Sequence, residues 1–217
     1  MKRIILHITI LSTLLILFSC DAQSQKKSKE VRKVNLTAPK GKAIAAFAEG
    51  CFWCSEHIYD EVIGVDSAIS GYAGGKKLNP TYEEVSTETT GHAETVLVYY
   101  NPKIVSYEEL LNVFFSSHDP TTLNKQGPDE GSSYRSIIFY GSPTEKNAAM
   151  QAIRDVSKSG KFKKPIVTEI KPLNEFYRAE AYHQKYIKFN ADNPYVRGVS
   201  IPRFENFKKT YKGKLKN

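Results

Sequence analysis

Cysteine is scarce in this 217-residue chain: there are three, alongside a single tryptophan. Two of them, Cys51 and Cys54, are only three positions apart. A pair so close closes no long loop, so the chain is not a disulfide-stapled scaffold. Cys51, Cys54 and His57 do have C-x2-C-x2-H spacing, but no second ligand half follows, which excludes a closed structural zinc site. Internal repeats are missing, and the longest apolar run, residues 4–18, is short for a membrane span. The net charge of +8 gathers as lysines near both ends of the chain. Charge placed this way is solvated tail, and no nucleic acid is expected as a partner. What is present is ordinary for one globular domain: 41% apolar and 25% charged residues.

The first segment is an address. Lys2 and Arg3 precede the apolar run, which ends in Leu17-Phe18-Ser19-Cys20. That ending is similar to a bacterial lipobox, with Cys20 as the lipid attachment point. The expectation is a lipoprotein-type signal over residues 1–20, a flexible polar tether over 21–40, and one catalytic domain over 41–217. The protein would then be exported to the bacterial cell envelope and held at the membrane by a lipid anchor. Lipidation consumes the Cys20 thiol and leaves Cys51 and Cys54, a pair better suited to chemistry than to architecture.

Apolar and β-branched stretches between turn signals predict strands over residues 43–48, 65–70, 94–100, 136–140 and 166–170. Ser106-Tyr107-Glu108-Glu109 and Ser142-Pro143-Thr144-Glu145 open two amphipathic helices, a third follows Cys51, and a fourth is expected over residues 174–186. The order fits an α+β fold, a two-layer α/β plait on a ferredoxin-like split β-α-β core with a mixed sheet. Two polar stretches, residues 71–82 and 117–135, are too long for plain connectors and mark functional loops.

Cys51 lies where a strand hands over to a helix, near unpaired backbone N–H groups and the positive end of the helix dipole. That setting favours thiolate, so Cys51 is the candidate nucleophile. Cys54 lies one turn on, within the roughly 4.4–6.8 Å Cα separation that a disulfide accepts. Phe52 and Trp53 are either an apolar pocket wall beside the thiol or core. Glu94 opens an apolar strand; against an apolar wall its carboxyl would act as an acid near neutral pH. On its own segment it reads more simply as a solvated strand-end carboxylate. Tyr82 and Tyr134 could donate phenolic hydrogen bonds, and His57, His92, His118 and His183 read as structural.

Four blocks then occur together in order: Gly50-Cys51-Phe52-Trp53, Gly91-His92-Ala93-Glu94, His118-Asp119-Pro120-Thr121, and Gln126 through Ser136. With them the chain resembles the type A peptide-methionine (S)-S-oxide reductases over residues 44–186. The resemblance implies an α/β plait with a long irregular C-terminal segment. It implies reduction of methionine-(S)-sulfoxide, in proteins and free, with Cys51 as nucleophile and Glu94 as proton donor. Tyr82 and Tyr134 would hold the sulfoxide oxygen, Phe52 and Trp53 the methyl group, and Asp129 would orient the site. It implies no prosthetic cofactor and a thioredoxin-like or other dithiol reductant; separately, nothing in the sequence suggests more than a monomer. The chain departs from the family at Cys54, where glycine is usual, in a C-terminus without cysteine, and at Ser133 in place of glutamine. Cys54 is the expected resolving thiol, the alternative being an external thiol. The rival readings are a membrane-tethered thioredoxin-like oxidoreductase and a lipoprotein binding module with a structural C-x-x-C.

Overall fold

The computed structural model describes residues 32–216; Cys20, the signal and most of the expected tether lie outside them. The chain enters the fold earlier than its composition suggests. β1 (Arg32–Lys33) pairs with a distant strand, and Val34 and Leu36 pack on a buried cluster. Residues 32–36, which fall within the stretch expected as tether, thus carry strand pairing and packing contacts.

β2 (Ala43–Glu49) leads directly into α1 (Phe52–Asp60), followed by β3 (Val65–Ala73), the short α2 (Tyr82–Val85), β4 (Ala93–Tyr100) and α3 (Tyr107–Ser117). A small hairpin, β5 (Lys125–Gln126) and β6 (Asp129–Glu130), and a 3-10 turn at Ser132–Tyr134 precede β7 (Ser136–Tyr140). Then come α4 (Pro143–Lys158), β8 (Glu169–Pro172), β9 (Phe176–Arg178), a 3-10 turn at Ala181–His183 and α5 (Tyr186–Phe189). A π-helical turn, Val196–Ser200, runs into α6 (Ile201–Thr210). Seven strands form one mixed sheet in the order β1-β9-β3-β4-β2-β7-β8, antiparallel except for β7 against β8.

β2 lies near the middle of that sheet and is apolar from Ala43 to Ala48, before the buried Glu49, because both its faces are covered. Ala45 and Phe47 face one cluster and Ala46 and Ala48 the other. Phe47 stacks on Tyr59 of α1 at 5.1 Å and meets Phe114 of α3 at 5.6 Å, joining both helices to the strand. Full burial of such a side chain contributes about 1.5–3 kcal/mol. Ser106 and Ser142 cap α3 and α4 as predicted, each accepting the N–H three residues on. The reciprocal capping box forms instead at Thr81–Glu84, at the start of α2.

The C-terminal third differs from its sequence reading. The helix expected over residues 174–186 is replaced by β9 and a 3-10 turn, because β3 runs on to Ala73 and offers an edge. β9 takes it, pairing Gly71 with Arg178 and Ala73 with Phe176. Tertiary pairing overrides weak local propensity here. The strand expected at 166–170 forms later, at Glu169–Pro172, in parallel register with β7. α6 buries Phe207 and half-buries Phe204 in a segment whose lysines had read as tail. Among the described residues no helix is long and apolar enough to cross a membrane.

Candidate active site

Gly50 makes the turn between β2 and α1. Its φ of +90° is the left-handed region, and a Cβ there would stand 2.6 Å from the Gln126 side chain. Only glycine permits both. The turn leaves Cys51 as the residue capping α1, with no hydrogen bond from its side chain to the cap. The first free N–H of the helix, that of Phe52, donates not to a sulfur but to Glu94 Oε2 at 2.9 Å.

Sheet register brings Glu94 there. β4 pairs with β3 so that Glu94 lies opposite Tyr72, and with β2 so that Val96 lies opposite Phe47. Period-two alternation then gives Glu94 the same face as Val96 and Val98, the face covered by α1. The carboxyl is 3% exposed. Burial raises its pKa to about 8, against the lowering effect of the Phe52 N–H. Glu94 is therefore a neutral acid at pH 7 and not a solvated strand-end carboxylate.

Cys51, Phe52, Trp53 and Glu94 line one cavity of about 300 Å³ with Tyr82, Tyr134 and Asp129. Every residue that the sequence put forward for the chemistry, apart from Cys54, thus faces one space. Glu180 accepts from the Tyr82 N–H and the Tyr72 hydroxyl, both at 2.9 Å, and so fixes the start of α2. Glu88 accepts from the Ser132 hydroxyl at 2.6 Å, the Ser133 N–H at 2.8 Å and the Ser133 hydroxyl at 2.7 Å, which fixes the turn carrying Tyr134. Serine at 133 thus keeps a polar contact in this loop. The Trp53 indole donates to His183 Nδ1 at 3.0 Å and stacks on Tyr186 at 3.7 Å. Burial pushes the His183 imidazole down to about 4, so the ring stays neutral and can accept that bond.

The thiols do not divide the charge as their position on the chain suggests. Both are free and buried. Burial, the hydrogen bond with Cys54 and the nearby Glu94 push the Cys51 thiol well up. Cys54 is brought down to about 6 by its hydrogen bond with Cys51, then by Arg203 and Ser200, against the opposing effect of burial. The helix N-terminus was expected to make Cys51 the thiolate. It does not: burial first, then the Cys54 hydrogen bond and the Glu94 charge, push its thiol up instead.

Sequence reading missed Tyr195 and Asn193, which complete the cavity, and Arg203. Tyr195 donates to Asp129 Oδ2 at 2.6 Å. One tyrosine among thirteen, in a segment without strong periodicity, carried no local signal. His57 packs on Phe204 with ring centroids 4.5 Å apart, and among the described residues no cluster of His, Cys, Asp and Glu is arranged to hold a metal ion.

Two sulfurs that can share a proton, next to a carboxylic acid in a half-apolar cavity, define a thiol-dependent oxidoreductase. The peptide methionine sulfoxide reductase family model matches residues 43–215. A peptide methionine sulfoxide reductase of Saccharolobus solfataricus is 47% identical over 173 residues, covering 80% of this chain and 97% of that protein. One from Leptospira borgpetersenii is 48% identical over 166 residues, covering 76% and 93%. Among solved structures, methionine sulfoxide reductase A of Corynebacterium diphtheriae superposes with a TM-score of 0.63 at 34% identity, covering 70% of this chain and 77% of that one. Reduced Mxr1 from Saccharomyces cerevisiae gives 0.64 at 35%, covering 76% and 92%. The chain belongs to the peptide methionine sulfoxide reductase family, and it reduces methionine sulfoxide by thiol chemistry.

Proposed function

We propose that the chain reduces methionine-(S)-sulfoxide in oxidised proteins and as the free amino acid, with the roles divided as follows. The sulfoxide's methyl group lies against Phe52 and Trp53, and its oxygen meets Glu94 and the hydroxyls of Tyr82 and Tyr134. Cys51 gives its proton to Cys54 and attacks the substrate sulfur while Glu94 protonates the oxygen. The oxygen passes to Cys51, leaving a thioether and a sulfenic acid. Cys54 then attacks the Cys51 sulfur; its proton leaves with the hydroxyl as water and a disulfide forms. A thioredoxin-like dithiol, or dithiothreitol in the test tube, returns both thiols, so no prosthetic cofactor is required. Asp129, held by Tyr195, orients the mouth of the cavity.

The observation that carries this reading is a carboxyl kept neutral up to about pH 8 in the cavity that holds Cys51. A sulfoxide oxygen departs poorly until it is protonated, so the acid and the thiol are needed together. The test is incubation with a racemate of acetylated methionine sulfoxide and dithiothreitol while each epimer is followed. The expected result is loss of the S epimer alone; persistence of both epimers would sink the proposal.

The chain's finer organisation is part of the proposal. β2-α1-β3-β4-α3-β7 reads as the split β-α-β plait, supported by the strand order β3-β4-β2-β7 and its antiparallel pairings. Residues 41–217 act as one catalytic domain and as a monomer. Residues 1–20 export the protein, Cys20 takes the lipid, and residues from 21 onward tether the domain to a membrane of the bacterial cell envelope. Globomycin-sensitive processing of the full chain would support the anchor, and a mature N-terminus elsewhere than Cys20 would refute it.

A further inference from the structure

Arg203 has no part in the chemistry above, although its charge lies at the foot of the cysteine helix. Its side chain is only 13% exposed. Nε donates to Ser117 O at 2.8 Å, and Nη2 donates to Glu49 O at 2.9 Å and Glu49 Oε1 at 3.2 Å. Nη1 lies 3.5 Å from where a Cβ on Gly50 would be, against the turn that delivers Cys51. Arg203 and Cys54 line a second cavity, of about 270 Å³, which shares Asp129 and Tyr195 with the substrate cavity. The hydrogen bond between those two residues is therefore part of the wall between the cavities. On the far side of it, the Cys54 thiol and the Ser200 hydroxyl are hydrogen-bonded at 3.3 Å.

Glu49 is a poor counterion for this arginine. It is fully buried, accepts the Ser117 hydroxyl at 2.8 Å as well, and burial raises its pKa to about 7. Near neutral pH it is a carboxylate only part of the time, and a buried cation needs a fuller partner. The sulfur sharing its cavity is the group that can supply one.

We infer that Arg203 and Ser200 are positioning residues that keep the negative charge of the cysteine pair on Cys54, making Cys54 the sulfur that departs when the reductant attacks the Cys51–Cys54 disulfide at Cys51. The inference rests on the disulfide proposed above. The donor's thiolate bonds to the Cys51 sulfur, the Cys51–Cys54 bond breaks, and its electron pair goes to Cys54, where Arg203 and the Ser200 hydroxyl receive it. The donor's second thiolate then attacks its own bonded sulfur. That frees Cys51 as thiolate and leaves the donor oxidised, so two electrons have passed to the enzyme. Thiol–disulfide exchange is faster when the departing thiol is the more acidic. The downward shift at Cys54 and the upward shift at Cys51 both point the same way. One consequence is that substrate and reductant enter by the same cavity, the one lined by Cys51 and Trp53, and so exclude each other.

Two measurements on the purified full chain decide it. In the first, the enzyme is oxidised by one equivalent of sulfoxide and mixed with a thioredoxin-type donor that keeps only its attacking cysteine. It is then quenched in acid, alkylated and mapped by mass spectrometry. The donor is expected on Cys51, with Cys54 alkylated; a donor on Cys54 overturns the inference. A chain that forms no Cys51–Cys54 disulfide after turnover defeats the resolving role and the inference together, whereas a disulfide with the donor on Cys54 defeats the inference alone. The second measures the pH of half-maximal alkylation of Cys54 in the Cys51→Ser background, which keeps a hydroxyl next to the sulfur. Arg203→Gln should raise that pH by about one unit or more, as loss of an adjacent opposite charge does, and Arg203→Lys should restore it. Ser200→Ala, a change of one oxygen atom, should move it the same way by less and covers the case in which Arg203→Gln does not fold. An unchanged pH in every folded variant overturns the inference.

Discussion

Glu94→Gln removes one transferable proton and changes little else. The amide is nearly isosteric and keeps an oxygen to accept the Phe52 N–H now held at 2.9 Å, so the start of α1 should not move. The carboxyl it replaces is 3% exposed with a pKa of about 8. It is thus about nine-tenths protonated at pH 7 and ready to act without any prior proton uptake. General acid catalysis contributes roughly 10²–10⁴ in rate, or about 3–5 kcal/mol of barrier at 1.36 kcal/mol per tenfold. The assay is single-turnover formation of acetylmethionine from the S epimer by reduced enzyme, with no recycling reagent, over pH 5.5–9.5. The wild type should lose rate above about pH 8 as the acid ionises, while the variant should be slower by that factor and lack the alkaline limb. A loss of tenfold or less, or the same limb near pH 8 in the variant, would refute the assignment of the proton to Glu94.

Cys54→Ser should still form one methionine per enzyme but lose turnover driven by a dithiol protein, read from burst and steady-state product; undiminished thioredoxin-driven turnover would remove Cys54 from the cycle. Gly50→Ala should destabilise the protein by about 1–3 kcal/mol, since a left-handed φ costs a non-glycine residue roughly 1–2 kcal/mol and the new Cβ must displace Gln126; denaturant unfolding checks it. Folding stability should also report Glu94. Its folded pKa, about 8, is above the usual 4.5, so its contribution is fully present below about pH 4.5 and is lost as pH rises to about 8. The stability of Glu94→Gln relative to wild type should therefore increase with pH across that window and level off above it; a flat difference in chemical unfolding would refute the burial argument.

Local chemistry made much of this protein legible from its sequence. β2 is a continuous apolar run from Ala43 to Ala48 because both sheet faces are covered, and α3 and α4 announce themselves through Ser106 and Ser142, whose caps satisfy backbone N–H groups three residues away. Gly50, Cys51, Phe52 and Trp53 are contiguous, so a turn and the start of a helix suffice to arrange them. Their partners could be named only through blocks resembling those of a known family, since nothing local to Glu94 separates an acid from a solvated carboxylate. Long-range packing decided the remainder. β9 forms where a helix was expected because the free edge of β3 outweighs propensity, and Tyr195 enters the cavity from a segment with little pattern of its own. The sharpest case is the charge on the two sulfurs. From its place at a helix start, Cys51 should be the thiolate. The fold buries Cys51 against Cys54 and Glu94, and brings Arg203, from 149 residues further along the chain than Cys54 (203 − 54 = 149), to the cavity that Cys54 lines. A pKa is set by what surrounds a group in three dimensions, and burial and distant charges, which the chain order does not reveal, outweigh the local helix dipole here.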